Sequence, residues 1–139
     1  MIVLDTNVLS ELMRFAPEPS VTNWVATQSA ADLFVTTITQ AEILHGVLLL
    51  PRGRRRDAIE AAADAMFEED FAGRILTFSS LAAQAYAEIA VARRHSGRPI
   101  SQFDAQIAAI AKSAGADVAT RNVPDFEGCG IKVIDPWQS

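Results

Sequence analysis

Cysteine is nearly absent from this chain: Cys129 is the only one in 139 residues. A lone thiol excludes an internal disulfide framework and Cys-rich zinc sites, and it suits a reducing, cytoplasmic compartment. The two histidines, His45 and His95, lack ligand spacing, so zinc has no ligand set here. No apolar run approaches the roughly 18 residues that cross a bilayer, so no membrane partner is expected. No basic segment precedes the first apolar residues, so the N-terminus does not read as a secretory signal. Internal repeats, low-complexity tracts and long linkers are missing, and the length suits a single domain over residues 1–139. Neither a phosphate-binding GxxxxGK[ST] loop nor a GxGxxG turn is present. Positive charge is also short. The net charge is −5, which argues against a general nucleic-acid binder. Lysine is scarce, two against ten arginines. The planar guanidinium fork suits phosphate, so this skew leans toward a phosphate-bearing partner.

What is present is organised around the first seven residues. Ile2, Val3 and Leu4 form a short apolar run of the kind buried in parallel sheets. The run ends in Asp5, at the carboxyl edge where open α/β sheets place their ligand crevice. Thr6 and Asn7 can cap a helix, and Val8, Leu9, Leu12 and Met13 recur at helical spacing. Further strands are expected at 33–36, 74–78, 117–120 and 131–134. Helices are expected at 20–28, from Thr39 onward, at 55–67, from Ser79 or Ser80 to 96, and from Ser101 to Ala114, where Gly115 stops the last. Helices between most strands imply parallel pairing with right-handed crossovers. The expected fold is a three-layer α/β/α sandwich around a parallel sheet of about five strands.

Four acids stand out. Asp5, Glu42 and Asp125 each follow the carboxyl end of a strand, on one edge of such a sheet. Asp104 joins them if the start of its helix reaches that edge. Each has a plainer reading. Thr39-x-x-Glu42 has capping-box spacing, Asp104 stands three residues after a capping Ser101, and Asp125 lies in a loop expectation. Taken together, three or four carboxylates in one place would repel unless protonated or bridged by a cation. An all-oxygen set suits a hard ion such as Mg²⁺ or Mn²⁺. A carboxylate-held ion of this kind serves water attack on a phosphodiester.

Asp5-Thr6-Asn7 after an N-terminal strand, Glu42 at a helix start, Asp104 at another, and Thr120-Arg121-Asn122 before Asp125-Phe126 together resemble a PIN-domain ribonuclease. The resemblance covers essentially the whole chain and is strongest to the VapC-type and FitB-type toxins of bacterial toxin–antitoxin pairs. It implies an endoribonuclease dependent on Mg²⁺ or Mn²⁺, an RNA substrate, a cognate antitoxin, and a homodimer or toxin–antitoxin hetero-oligomer. It also implies that Asp5, Glu42 and Asp104 are the core metal-binding acids. Thr6 and Thr120 match supporting hydroxyls, and Asn7 a polar position beside the site. The fourth acid of relatives corresponds to Asn122 or to Asp125. Here the first is an amide, so Asp125 is expected to take the role, with Asn122 as a helper in a three-acid alternative.

On this reading RNA contact falls to arginine: Arg14, the cluster Arg52, Arg54, Arg55 and Arg56, and Arg93, Arg94 and Arg98. Trp24, Phe103 and Trp137 read as core or interface residues, His45 as a packed side chain, and the run 44–50 as a hint of a dimer interface. Two other readings compete. A receiver-like or phosphatase-like Mg²⁺-binding domain would need an acceptor Asp after strand three or an Asp-x-Asp, and Phe78 and Asn7 stand there instead. A non-catalytic protein on the same fold would bind no metal.

Overall fold

Val3 and Leu4 are fully buried neighbours that face opposite ways, because successive side chains of a strand alternate between the two sides of a sheet. Leu4 packs with Val8, Leu9, Val35 and Ala119 on one side. Val3 packs with Ile89, Ile107, Val118 and Phe126 on the other. Two apolar layers therefore enclose one sheet. The computed structural model describes residues 1–138.

The sheet has five strands in the order β3-β2-β1-β4-β5, namely β1 (Ile2–Leu4), β2 (Leu33–Thr36), β3 (Ile75–Leu76), β4 (Asp117–Ala119) and β5 (Val133–Ile134). Every pair is parallel. Helices α1 (Thr6–Leu12), α2 (Pro19–Ala26), α3 (Thr37–Leu49) and α4 (Arg54–Ala65) supply one layer. Helices α5 (Ser80–His95), α6 (Gln102–Ala114) and the single turn α7 (Val123–Phe126) supply the other. The expected α/β/α sandwich with a five-stranded parallel sheet is borne out.

Boundaries differ from expectation where tertiary contacts override local signals. Strand β3 is shorter than 74–78, because it lies at the edge and pairs only with β2. The Arg74 guanidinium turns back to donate to the Ala30, Leu33 and Asp70 carbonyls. The helix expected to reach residue 67 ends at Ala65 and widens into a π-turn, Met66–Asp70, that buries Met66 and Phe67. Ser79 and Ser101 do cap α5 and α6 through their hydroxyls. Gly115 ends α6 at φ 69°, a left-handed conformation that glycine adopts without a Cβ penalty.

Topology positions the site. The chain runs from β1 outward to β2 and β3, then crosses back to place β4 on the other side of β1. Such a switch point opens a crevice at the carboxyl ends of the two central strands. Register then dictates neighbours: Leu4 stands beside Ala119, so Asp5 and Thr120 emerge side by side. The Asp5 N–H donates to the Ala119 carbonyl at 2.9 Å, extending the ladder to the rim.

Candidate active site

Asp5 is buried, 5% exposed, and both its oxygens are engaged. Oδ1 accepts from the Thr6 N–H at 2.8 Å, which also caps α1. Oδ2 accepts from the Thr120 hydroxyl at 2.8 Å and from the Asn7 amide at 3.3 Å. Asn7 donates to the Thr120 hydroxyl oxygen as well, at 3.1 Å, and accepts from the Arg121 N–H. Polar side chains thus add to the backbone ladder in lacing the end of β1 to the end of β4.

Glu42 comes from the other neighbour. Strand β2 runs beside β1, and α3 begins immediately after it. Thr36, not Thr39, caps that helix, its hydroxyl accepting from the Thr39 N–H at 3.1 Å. The capping-box reading of Glu42 is therefore overturned. Glu42 lies more than one turn inside α3, and its Oε1 accepts from the Thr6 hydroxyl at 2.8 Å. Thr6 also meets the Thr39 hydroxyl at 3.0 Å. Asp104 arrives from the first turn of α6, half-buried, with Ser101 capping its N–H.

Asp5, Glu42 and Asp104 line one open cleft of about 540 Å³, together with Thr6, Asn7, Ser10, Glu11, Arg14, Arg121, Asn122 and Trp137. Burial raises the Asp5 carboxyl from its ordinary 3.8 to about 6. The Thr120 and Thr6 hydrogen bonds oppose this, and the Asp104 and Glu42 charges add to it. Burial likewise raises Asp104, opposed by Ser101 and reinforced by Asp125. Among the described residues no three Asp, Glu, His or Cys side chains converge as a ready-made ion cage. The donor set still fits a hard divalent ion: it is all oxygen, it faces one cleft, and its mutual repulsion is what a cation would relieve.

A profile of the PIN domain matches residues 2–125. The chain belongs to the PIN-domain family. Over essentially full length on both sides it is 40% identical to the plasmid stability protein StbB of Pseudomonas syringae pv. tomato. It is 38% identical to the VapC ribonuclease Y4jK of Sinorhizobium fredii and 36% identical to the toxin FitB of Neisseria gonorrhoeae, each over 99% of both chains. The crystal structure of FitAcB from Neisseria gonorrhoeae matches it with a TM-score of 0.94 at 36% identity, covering all of both chains.

In this PIN domain the remaining expected residues fall in several places. Asn122 lines the cleft, and its N–H donates to the Thr120 hydroxyl oxygen at 3.1 Å. Asp125 does not line it. The segment after Asn122 coils into α7 instead of forming a loop, which leaves the Asp125 side chain exposed, near Asp104 but outside the cleft. Arg14 lines the cleft, paired with the buried Glu11 at 3.1 Å. Arg52, Arg54, Arg55 and Arg56 lie off it on the α3–α4 turn and the start of α4; Arg55 borders a separate depression with Phe15 and Ile59. Arg94 is exposed on α5, and Arg98 is paired with Glu127 at 2.8 Å. Arg93 is no surface residue at all. It is 6% exposed and donates to the Arg98, Asp125 and Glu127 carbonyls. Its burial was readable: Ala82, Ala85, Ile89 and Arg93 share one face of α5 at helical spacing.

Four further residues of the cleft, Ser10, Glu11, Arg121 and Trp137, were not expected there from the sequence. Glu11 is buried and sits below the usual carboxylate range, chiefly because it accepts the Glu18 N–H. Arg121 and Trp137 meet across the rim although 16 positions separate them, and no spacing rule foretells that. Trp24 is buried as expected, whereas Phe103 and His45 are exposed, correcting the packed reading of His45. Cys129 is buried with its thiol raised by burial, which keeps it unreactive.

Proposed function

We propose that this PIN domain is an endoribonuclease that hydrolyses RNA phosphodiester bonds with a Mg²⁺ or Mn²⁺ ion, acting as the toxin of a toxin–antitoxin pair. The observation that carries the reading is the convergence of Asp5, Glu42 and Asp104 on one cleft at the sheet's switch point. Those three acids would hold the ion. Such an ion supplies an activated nucleophile at neutral pH and offsets charge building on the phosphodiester. The chain's own residues do the rest. The Thr6 N–H and Thr120 hydroxyl hold the Asp5 carboxylate in one orientation. The Thr6 hydroxyl holds Glu42. Asn7 joins both strand ends, and Asn122 lines the same cleft.

The toxin role, and an antitoxin as partner, draw support from relatives named VapC ribonuclease and toxin FitB. A second copy of the chain is the other partner proposed. Leu48 and Leu49 near the end of α3 are 55% and 72% exposed, an apolar surface that self-association would cover.

The test is cleavage of mixed cellular RNA by the purified chain with Mg²⁺, Mn²⁺ or EDTA, beside Asp104→Asn. Cleavage that requires the ion and disappears in Asp104→Asn is expected. Cleavage that survives both controls refutes the site, and absence of both cleavage and ion binding by calorimetry favours a non-catalytic protein. A companion pair separates the two candidates for the fourth position. Asn122→Ala should lower the rate about 10- to 100-fold, the usual cost of removing a group that orients ion ligands. Asp125→Asn should change it less than about threefold, as for an exposed charge. The reverse order in single-turnover assays would restore Asp125 to the site.

A further inference from the structure

An RNA strand approaching this cleft meets three acids on a chain of net charge −5. Few cations are placed to offset that. Arg93 is buried among carbonyls, Arg98 is paired with Glu127, and the arginines at 52–56 lie off the cleft. Among the described residues, the arginines that line it are Arg14 and Arg121. Arg14 is committed to Glu11, with Nη1 at 3.1 and 3.3 Å from its two carboxylate oxygens.

Arg121 is different. It is exposed, and among the described residues its guanidinium has no ion pair. The guanidinium carbon lies 5.1 Å from the centroid of the Trp137 ring. The Arg121 N–H donates to Asn7 Oδ1 at 3.3 Å, and the Asn7 amide donates to Asp5. The root of the side chain is therefore one residue removed from the central acid, and its tip rests on an indole. Trp137 is itself seated. Its backbone N–H donates to Asp135 Oδ1 at 2.9 Å, and its side chain packs against the core cluster that includes α1 and α2. An arginine laid on an aromatic ring keeps its N–H donors available to a phosphate.

We propose that Arg121, held on Trp137, is the phosphate grip of this cleft. It binds a backbone phosphate of single-stranded RNA next to the phosphodiester presented to Asp5, Glu42 and Asp104. The inference rests on the ribonuclease reading and adds to it the residue that offsets the acidic approach. Trp137 is a positioning residue: it sets where the guanidinium stands and touches no reacting atom.

The experiment is steady-state cleavage of a single-stranded RNA oligonucleotide in Mg²⁺ over a series of KCl concentrations. The full chain is compared with Arg121→Gln, Arg121→Lys and Trp137→Leu. Arg121→Gln should raise KM about tenfold, the scale of one charge-assisted hydrogen bond. The slope of log(kcat/KM) against log[KCl] should become shallower by about 0.7, the share of one phosphate contact on a single strand. Arg121→Lys should restore that slope while leaving KM raised, because the charge returns without the stacked plane. Trp137→Leu should raise KM with the slope kept. A wild-type chain that cleaves, beside an Arg121→Gln variant of unchanged KM and slope, overturns the proposal. So does a fall in kcat at unchanged slope, which would make the Arg121–Trp137 contact purely structural. A wild-type chain that leaves the RNA intact fails the ribonuclease reading itself, and the grip with it.

Discussion

Asp5→Asn is expected to lose cleavage and gain stability in the same molecule. Activity should fall below about 1% of wild type, since the central anionic ligand is gone. Stability should rise because the native state holds this carboxylate at a cost. Its pKa is raised from 3.8 to about 6, first by burial. The sign follows from proton linkage. Below about pH 4 Asp5 carries its proton folded or unfolded, and the native state bears no penalty. Between 4 and 6 the folded protein keeps the proton that the unfolded chain has released, and this contribution to stability is lost as pH rises through 6. Above that, ionisation of the buried group costs the fold about 3 kcal/mol at 1.36 kcal/mol per unit. An amide cannot recover all of this, because both oxygens accept, Oδ1 from the Thr6 N–H and Oδ2 from the Thr120 hydroxyl and the Asn7 amide, so its NH2 group faces a donor either way round. A net gain of about 1–2 kcal/mol at pH 8, and none at pH 4, is the expected result in urea unfolding. Saturating Mg²⁺ should stabilise wild type far more than the variant, and removing it with EDTA should restore the gap. A variant less stable than wild type at pH 8 without the ion would refute the burial argument.

Arg93→Met should be the most damaging substitution outside the cleft. Three backbone carbonyls, of Arg98, Asp125 and Glu127, would lose their donor at once. Breaking such a buried charged network costs about 3–5 kcal/mol, a large share of the roughly 5–15 kcal/mol that holds a domain together. Arg93→Lys keeps one charged donor but not the fork, and should lose about half as much. Chemical denaturation monitored by circular dichroism tests both. Because the Arg93 charge also lowers the Asp104 carboxyl, the Lys variant should retain more activity than its stability loss alone would imply. A Met variant within about 1 kcal/mol of wild type would show that water can replace the guanidinium.

These two residues also mark how far sequence reading reaches. Asp5 was legible because a buried strand, an acid and a helix cap follow one another without interruption, and strand ends in parallel sheets are where ligands sit. The sheet and its helices were legible for the same reason, as apolar periodicity changed from runs to turns of helix. Glu42 was legible as an acid but not in its partner, since one Thr-x-x-Glu spacing serves both a cap and an interior helix position. Thr36, the last residue of β2, took the cap three positions earlier, which released Thr39 to face Thr6. The loop expected around Asp125 is instead the single turn Val123–Phe126, which no apolar periodicity announces and which leaves that side chain exposed. Arg93 misled because arginine is ordinarily a surface residue, although its place on the apolar face of α5 was visible.

The bond between the Thr120 hydroxyl and Asp5 joins residues 115 positions apart. On a growing polypeptide, Asp5 is made long before Thr120. Asp104 follows Asp5 by 99 positions, so one of the three acids joins the other two only after most of the helices have been made. Pairing of β1 with β4 must await the last part of the chain, as nonlocal parallel pairing requires. On the proposed reading, the acid cleft is therefore assembled only after β4 has been made.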